Sequence, residues 1–336
     1  MTRRETVINA INHKESVNTP YSFFGFAEDK IPELQAHFGC KDVNAALGNY
    51  LHRCGKRKTE PIPGRPGFFI DNFNVVWNRT RDKNIGVVET NLLEDAERYD
   101  EYVFPTPDER FIRGEIEETL KTADDKFVYY NFGFSLFERA WMLRGMENLL
   151  MDFIEDGDFV HRFFGDILKY DLAVLDIVLG YDRIDGVLFG DDWGQQKGLI
   201  MGAPFWREYI KPCARQLYAK VKAKSKYAMI HSCGDIEELF PELIESGLDI
   251  YQTVQPEIYD LAKIKKEYGQ NLTFWGALST QYLLVESGPA EVERITRQTI
   301  DLMKPGGGYI AGPTHTITAD VPLDNILAML KGFKES

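Results

Sequence analysis

Short apolar runs alternate with longer amphipathic segments along most of the chain. Runs such as 186–190 and 227–230 have the length of buried strands, whereas 158–180 carries apolar residues at helical spacing. The alternation predicts strands centred near residues 22, 87, 128, 187, 228, 250, 273 and 309. Because short apolar strands that alternate with helices form parallel sheets, these eight units predict an α/β fold, a single (β/α)8 TIM barrel.

An open, doubly wound sheet is the alternative to a barrel. Such a sheet usually carries a glycine-rich phosphate turn after an early strand, and no G-x-G-x-x-G motif occurs in this chain. The glycine run at 306–308 precedes its strand and is interpreted as a turn. We therefore expect one barrel domain over residues 1–336, with a helix at 45–54 and the second core strand at 86–90.

The segment 56–83 has a different character from the rest of the chain. Prolines and glycines break its first half, and residues 69–77 alternate between apolar and polar positions like a hairpin strand. We interpret the segment as a hairpin excursion that covers one mouth of the barrel. A surface hairpin without a role explains the same pattern equally well.

Composition narrows the class of protein. A net charge of -13 argues against nucleic acid as a partner, because phosphate binding needs a basic face. No apolar run approaches the roughly 20 residues of a membrane span, and the N-terminus lacks the apolar region of a signal peptide. The cysteines, four in number, are scattered and do not resemble a disulfide framework. We expect a cytoplasmic protein.

The residues that follow the predicted strands are polar, glycine-rich and aromatic together. In a barrel these residues surround the active site, because the site lies at the carboxyl ends of the strands. Aromatic side chains there form the wall of an apolar pocket, and amides bind substrate; packing within the loops is the alternative for each. The substrate-binding residues predicted in this way are Phe24, Phe26, Phe134, Trp193, Gln196, Gln252 and Gln255.

Three residues at strand ends are candidate metal ligands. His231 and Cys233 are two positions apart at the end of a predicted strand, so their side chains share a face. His315 follows the last strand and supplies a third ligand. Three nitrogen and sulfur ligands with an open position are typical of catalytic zinc. The alternative is that Cys233 is a small buried residue and the histidines form hydrogen bonds or act as acid and base.

Asp191 and Asp192 are the candidate catalytic residues. They follow the strand at 186–190, and a carboxylate there orients a ligand or accepts a proton. We expect one of the two to point into the site and the other to cap the following turn. For Arg139 and Arg144, pairing on a helix surface is preferred to contact with an anionic ligand.

Four motifs resemble the uroporphyrinogen decarboxylase superfamily. They are Asp-Asp-Trp-Gly-Gln-Gln-Lys-Gly at 191–198, His-Ser-Cys-Gly at 231–234, Phe-Trp-Gly-Ala at 274–277, and the closing stretch 311–326. The resemblance covers most of the chain and is strongest from residue 187 onward. It implies a single (β/α)8 barrel, in agreement with the strand count.

The superfamily contains metal-free decarboxylases that act on a tetrapyrrole. These enzymes carry an arginine-rich segment after the first strand, which binds the carboxylates of the substrate. Here no arginine occurs between Arg4 and Arg53. Eight carboxylates without those charges would be left unpaired in a buried pocket, so we disfavour tetrapyrrole decarboxylation. It remains an alternative, with Asp191 or Asp192 as the catalytic group.

The other branch contains corrinoid-dependent methyltransferases, which share the His-x-Cys motif. In that branch a later cysteine completes a zinc site, and alignment of the closing motif places His315 at its position. The resemblance thus implies Zn²⁺ held by His231, Cys233 and His315, and methyl transfer to or from the cobalt of a corrinoid carried by a partner protein. The substrate would be an aryl methyl ether or a thiol, and the aromatic lining favours the ether. A non-catalytic binder of corrinoid or tetrapyrrole is the third hypothesis.

Overall fold

Seven parallel strands curl into the wall of a barrel. The computed structural model describes residues 1–81 and 83–335. The strands there are β1 (Leu51–Cys54), β2 (Thr59–Pro61), β3 (Phe68–Asp71), β4 (Val76–Asn78), β5 (Val87–Val88), β6 (Phe127–Phe134), β7 (Gly186–Gly190), β8 (Gly194–Gln195), β9 (Gly198–Leu199), β10 (Tyr227–His231), β11 (Ile250–Val254), β12 (Thr273–Leu278) and β13 (Tyr309–Pro313). The barrel sheet has the order β1-β6-β7-β10-β11-β12-β13, and every neighbouring pair is parallel.

Helices cover the outside of this sheet and close its amino end. The α-helices of the described chain are α1 (Arg3–Ile11), α2 (Ile31–Phe38), α3 (Val43–Leu47), α4 (Glu109–Leu120), α5 (Leu136–Arg144), α6 (Met146–Glu155), α7 (Gly157–Val178), α8 (Ala203–Phe205), α9 (Lys211–Lys222), α10 (Phe240–Glu245), α11 (Leu261–Tyr268), α12 (Leu283–Glu286), α13 (Pro289–Met303) and α14 (Leu323–Lys334). Two 3₁₀ turns, Ala96–Glu101 and Glu237–Leu239, and a π-helical turn, Trp206–Ile210, complete them. None of these helices is long and apolar enough to cross a membrane.

The segment at 20–26 takes the place of the eighth strand. Isolated parallel bridges join Tyr21 to Ala311 and Phe26 to Ile317, beside β13. On the other side, the amide of Tyr50 donates to the carbonyl of Tyr21 at 3.0 Å, next to β1. The barrel is thereby closed between its first and last strands, and the predicted (β/α)8 fold is confirmed.

Two predicted elements are wrong, and both lie before residue 91. The predicted helix at 45–54 ends with α3, because Gly48 adopts a left-handed conformation (φ 77°) and the chain then enters β1. The predicted core strand at 86–90 is instead β5, whose Val87 is 66 % exposed. β1 therefore occupies the barrel position that was assigned to residues 86–90.

Strands β2 to β5 form a separate four-stranded antiparallel sheet, with the order β2-β3-β4-β5. Trp77 of this sheet stacks on Phe134, at the carboxyl end of β6, with ring centroids 5.3 Å apart. The contact attaches the antiparallel sheet to the end of the barrel at which the strands finish.

The interior of the barrel is filled by large apolar side chains from its strands. Phe127, Leu188, Met229 and Trp275 are fully buried there. From the amino end, α1 adds Val7 and Ile11, which pack into the same cluster. Because the interior is packed with side chains, the ligand site of a barrel is expected at the carboxyl ends of the strands and not inside it.

Candidate metal centre and cavity

His231, Cys233 and His315 converge at the carboxyl ends of β10 and β13. One ligand atom from each lies within 4.8 Å of the others. The distance from Cys233 Sγ to His231 Nε2 is 3.6 Å. Zinc bonds of about 2.0 Å to nitrogen and 2.3 Å to sulfur separate neighbouring ligand atoms of a tetrahedron by about 3.5 Å. The donor set and the spacing of Cys233 and His231 therefore suit zinc, whereas separations of up to 4.8 Å within the cluster would have to shorten around a bound ion.

Gln252, in the middle of β11, fixes the ring of His231. Its Nε2 donates to the carbonyl of Thr314 at 2.9 Å, so its Oε1 is the atom that faces His231 Nδ1. Since Oε1 only accepts, Nδ1 carries the proton and Nε2 is left as the basic nitrogen beside Cys233. Phe24 stacks on the same ring at 5.1 Å, nearly parallel to it. The orientation and the tautomer of His231 are thus set by its neighbours.

The loop that carries Cys233 is held by its backbone amides. The amide of Cys233 donates to Asp192 Oδ1 at 2.8 Å, and that of Gly234 donates to Gln255 Oε1 at 2.9 Å. Gly234 has φ 78°, and a Cβ built on it would lie 2.2 Å from the carbonyl carbon of Gly194. Only glycine fits this close approach of two backbones, which aims the thiol of Cys233 at His231.

Burial sets the protonation of the candidate ligands. It raises the pKa of the Cys233 thiol, and the carboxyls of Asp192 and Glu138 raise it further. It lowers the pKa of His315 to about 4, with His231 adding to the effect. A neutral imidazole is the form that binds metals, and a nearby cation is what the Cys233 thiol requires to ionise near neutral pH.

The two aspartates have separate positions. Asp191 is buried and accepts hydrogen bonds from the amide of Glu138 at 2.8 Å and from Trp193 Nε1 at 2.6 Å. It therefore holds the first turn of α5, and burial raises its pKa to about 7. Asp192 lines the cavity, and its Oδ1 lies 3.8 Å from His231 Nε2. Of the predicted catalytic pair, the structure places Asp192 beside the metal ligands and Asp191 behind them.

A cavity of about 430 Å³ opens above the candidate ligands. This volume lies within the roughly 300–1,000 Å³ of small-molecule sites. The predicted wall residues Phe24, Phe26 and Phe134 line it, together with His231 and His315. Further lining residues were not among the predicted site residues, and they include Phe132, Asn131, Glu28, Glu138, Arg53, Arg57 and Arg79.

Four residues predicted to bind substrate do not line this cavity. Trp193 is fully buried and packs against Trp206 with ring centroids 5.4 Å apart. Gln196 is exposed in the turn between β8 and β9. Gln252 and Gln255 are buried, and their hydrogen bonds hold His231 and Gly234. Position after a strand does not reveal which way a side chain points, and the structure places these four outside the cavity lining.

The charges of the cavity differ from those expected. Arg57 lies just before β2 and Arg79 just after β4. Both bring positive charge to a cavity that was expected to lack it. Glu138, on α5, faces the same space; burial and the carboxyls of Asp192 and Asp191 raise its pKa well above its usual range. The arginines were visible in the sequence, but only the packing of the sheet against β6 brings them to the site.

A TIM barrel with a candidate metal centre at the carboxyl ends of its strands is the class that this geometry defines. Residues 80–336 match the family model described as Uroporphyrinogen decarboxylase (URO-D), and the chain belongs to that family. The matched region includes all three candidate ligands, and the predicted superfamily is confirmed.

Two relatives come from Methanosarcina mazei. A methylated-thiol–coenzyme M methyltransferase is 24% identical over 230 residues, which are 67% of this chain and 58% of that protein. This chain therefore matches little more than half of that relative's length. The solved structure of a methyltransferase superposes with a TM-score of 0.73 at 14% identity, covering 100% of this chain and 99% of the other. The second match shows that the two chains share a fold.

Proposed function

We propose that this protein is a zinc-dependent methyltransferase that moves a methyl group between a small substrate and the cobalt of a corrinoid protein. The observation that carries the proposal is the convergence of His231, Cys233 and His315 within 4.8 Å beneath an aromatic cavity. The relative named as a methyltransferase supports the reaction class. The corrinoid is an inference from the shared His-x-Cys motif.

The residues around the centre have distinct roles in the proposal. When bound, zinc would polarise the oxygen of a methyl ether or hold a thiol as thiolate. Gln252 and Phe24 keep His231 in its orientation. Phe26 and Phe134 exclude water from the methyl group and pack against an aromatic ring. An aryl methyl ether uses this lining better than a small thiol, and we favour it as substrate.

The corrinoid protein must reach the same cavity from outside. The antiparallel sheet borders the opening, and Ile85 is 42 % exposed where it lines the cavity. Val87, on the adjoining β5, is 66 % exposed. We propose that this rim is part of the surface on which the corrinoid protein docks. In this proposal the antiparallel sheet is an excursion of a single barrel domain and not a domain of its own. A cytoplasmic location stays a prediction.

Tetrapyrrole decarboxylation is less well supported. Three arginines line the cavity, and Glu138 and Asp192 line it too. A substrate with eight carboxylates would meet too few cations beside these acidic side chains, which is costly in a partly buried site.

Metal analysis of protein purified without chelators tests the proposal. Wild-type protein is expected to hold one zinc per chain, and Cys233→Ala and His315→Ala are expected to lose most of it. Cys40→Ala, which alters a cysteine outside the cluster, is the control and should keep its zinc. Wild-type protein without zinc, or both cluster variants with full zinc, would refute the proposed centre.

Activity assays separate the remaining functions. Cob(I)alamin and methoxybenzene are mixed with the zinc-loaded protein, and formation of methylcobalamin is followed by its absorption spectrum. Conversion of uroporphyrinogen to coproporphyrinogen would instead establish the decarboxylase. Spectral shifts of cobalamin without methyl transfer from any donor would identify a non-catalytic binder.

A further inference from the structure

Three arginines on the cavity wall have no acidic partner. Arg53, Arg57 and Arg79 all line the cavity, and none forms an ion pair with a carboxylate of the described chain. Other arginines of the same region are paired: Arg65 with Glu89 at 3.1 Å and Arg139 with Asp71 at 2.8 Å. The lack of partners is therefore a property of the cavity rather than of the region.

The surroundings of Arg57 and Arg79 leave their donors free for a ligand. Arg57 lies over the rings of Trp77 at 4.3 Å and Phe134 at 4.8 Å, which cover the faces of the guanidinium and accept no strong hydrogen bond. Its one side-chain hydrogen bond in the described residues is a 3.5 Å contact with the carbonyl of Ile85. The Nε of Arg79 is buried and has no hydrogen-bond partner there. A guanidinium has five N–H donors, so most of these are unused.

The two cations also repel each other. Burial and the neighbouring charge of Arg79 lower the pKa of Arg57 to about 10, although Asp71 and Glu138 oppose the shift, so the group stays charged at neutral pH. Partly buried like charges without a counter-ion are unfavourable, and an anion bound between them relieves both the repulsion and the unused donors. Asp192 and Glu138 line the same cavity, but neither forms an ion pair with these two arginines in the described residues, and Asp192 Oδ1 accepts from the amide of Cys233.

Arg53 extends the same surface. With the amide of Asn131 oriented to satisfy both groups, its oxygen accepts from Arg53 Nε at 3.0 Å. Arg53 is on β1, which stands three strands from β10 in the sheet order, and β10 ends at His231. The cationic wall and the candidate metal centre thus come from different strands and line one cavity, which aromatic side chains also line.

We propose that Arg57 and Arg79, supported by Arg53, form a subsite for an anionic group of the substrate. The ligand class that fits is an aryl methyl ether bearing a carboxylate: the ether at the metal centre, the ring among the phenylalanines and the carboxylate on the arginines. The position of the ether rests on the proposed function. The anionic subsite rests on the arginines alone.

Calorimetric titration with a matched pair of compounds tests the subsite. 4-Methoxybenzoate and its neutral analogue 4-methoxybenzamide are titrated into the full-length protein, with and without added zinc. Charge-assisted hydrogen bonds predict that the benzoate binds about 10- to 100-fold more tightly than the benzamide. Arg57→Gln and Arg79→Gln are each expected to reduce that ratio at least about threefold while leaving benzamide binding unchanged. Arg65→Gln, on the same sheet but paired with Glu89, is the control and should keep the ratio.

Several results would overturn the subsite. One is that the wild type binds the two compounds equally or shows no saturable binding of the benzoate. Another is that Arg65→Gln reduces the ratio of benzoate to benzamide affinity as much as the Arg57 and Arg79 variants do. Loss of cobalamin binding alone in the arginine variants would assign the arginines to the corrinoid and also overturn it. If Arg57→Gln does not fold, Arg79→Gln decides the matter. A protein that prefers the benzoate but neither holds zinc nor transfers methyl groups would refute only the proposed function.

Discussion

Removal of the Gln252 side-chain amide should weaken zinc binding without touching a ligand. Gln252 is fully buried and joins the two halves of the candidate centre, since Oε1 accepts from His231 Nδ1 and Nε2 donates to the carbonyl before His315. Gln252→Leu keeps a similar volume and removes both hydrogen bonds. The imidazole is then free to rotate or to carry its proton on the nitrogen that should bind metal.

The size of the effect follows from these two contacts. Loss of a partner that orients a histidine ligand typically lowers metal affinity about 10- to 100-fold, or about 1.4–2.7 kcal/mol. Two buried groups, His231 Nδ1 and the carbonyl of Thr314, would also lose their partners, at about 1–3 kcal/mol each in the free energy of unfolding. We therefore expect Gln252→Leu to bind zinc at least tenfold more weakly and to melt at a lower temperature.

Gln252→Glu separates the two effects. A glutamate retains an oxygen that accepts from His231 Nδ1 but loses the donor to Thr314, so stability should fall while zinc affinity stays within about threefold of the wild type or rises. Affinity is measured by competition with a chromophoric chelator, and stability by urea denaturation of the zinc-free protein. Equal zinc affinity of Gln252→Leu and the wild type would refute the reasoning, as would equal losses in both variants.

Two further variants test the loop geometry and the buried charge. Gly234→Ala should lose about 3 kcal/mol or more in the free energy of unfolding, because its Cβ would lie 2.2 Å from a backbone carbon. Gly64→Ala is the control, since Gly64 has a similar φ of 76° but open space around it. It should lose only about 1–2 kcal/mol. Burial lowers the pKa of Lys265 to about 8, so the unfolded chain binds more protons above that pH and stability should rise between pH 8 and about 10.4. Lys265→Met should abolish that rise in urea denaturation measured across the same range, and an unchanged slope would contradict the assignment.

The sequence predicted those parts of the fold that repeat a strong local pattern. Strands such as β7 and β10 were found within a residue of their ends because each is a short, largely apolar run that follows a long helix. β1 was missed because Leu-His-Arg-Cys alternates weakly and follows a helical stretch. β5 was mistaken for a core strand because two valines carry the same local signal in a surface sheet as in a barrel.

The candidate site was predictable only where spacing fixes geometry. Residues two apart on a strand share a face, and this relation alone paired His231 with Cys233. Their convergence with His315 depends on closure of the barrel, which the strand count supplied. No spacing in the sequence placed Arg57 and Arg79 at the site, because their approach to the cavity depends on how the antiparallel sheet packs on β6.

The origin of each half of the cavity suggests which half determines specificity. The candidate ligands come from ends of barrel strands, where a shift of one residue would disturb the packing of the whole sheet. Arg57 and Arg79 come from the antiparallel excursion, and Arg57 lies over the faces of Trp77 and Phe134. Substitutions there change the charge of the cavity at little cost to the barrel. We therefore expect the barrel to fix the chemistry at the methyl group and the excursion to select which molecule carries it.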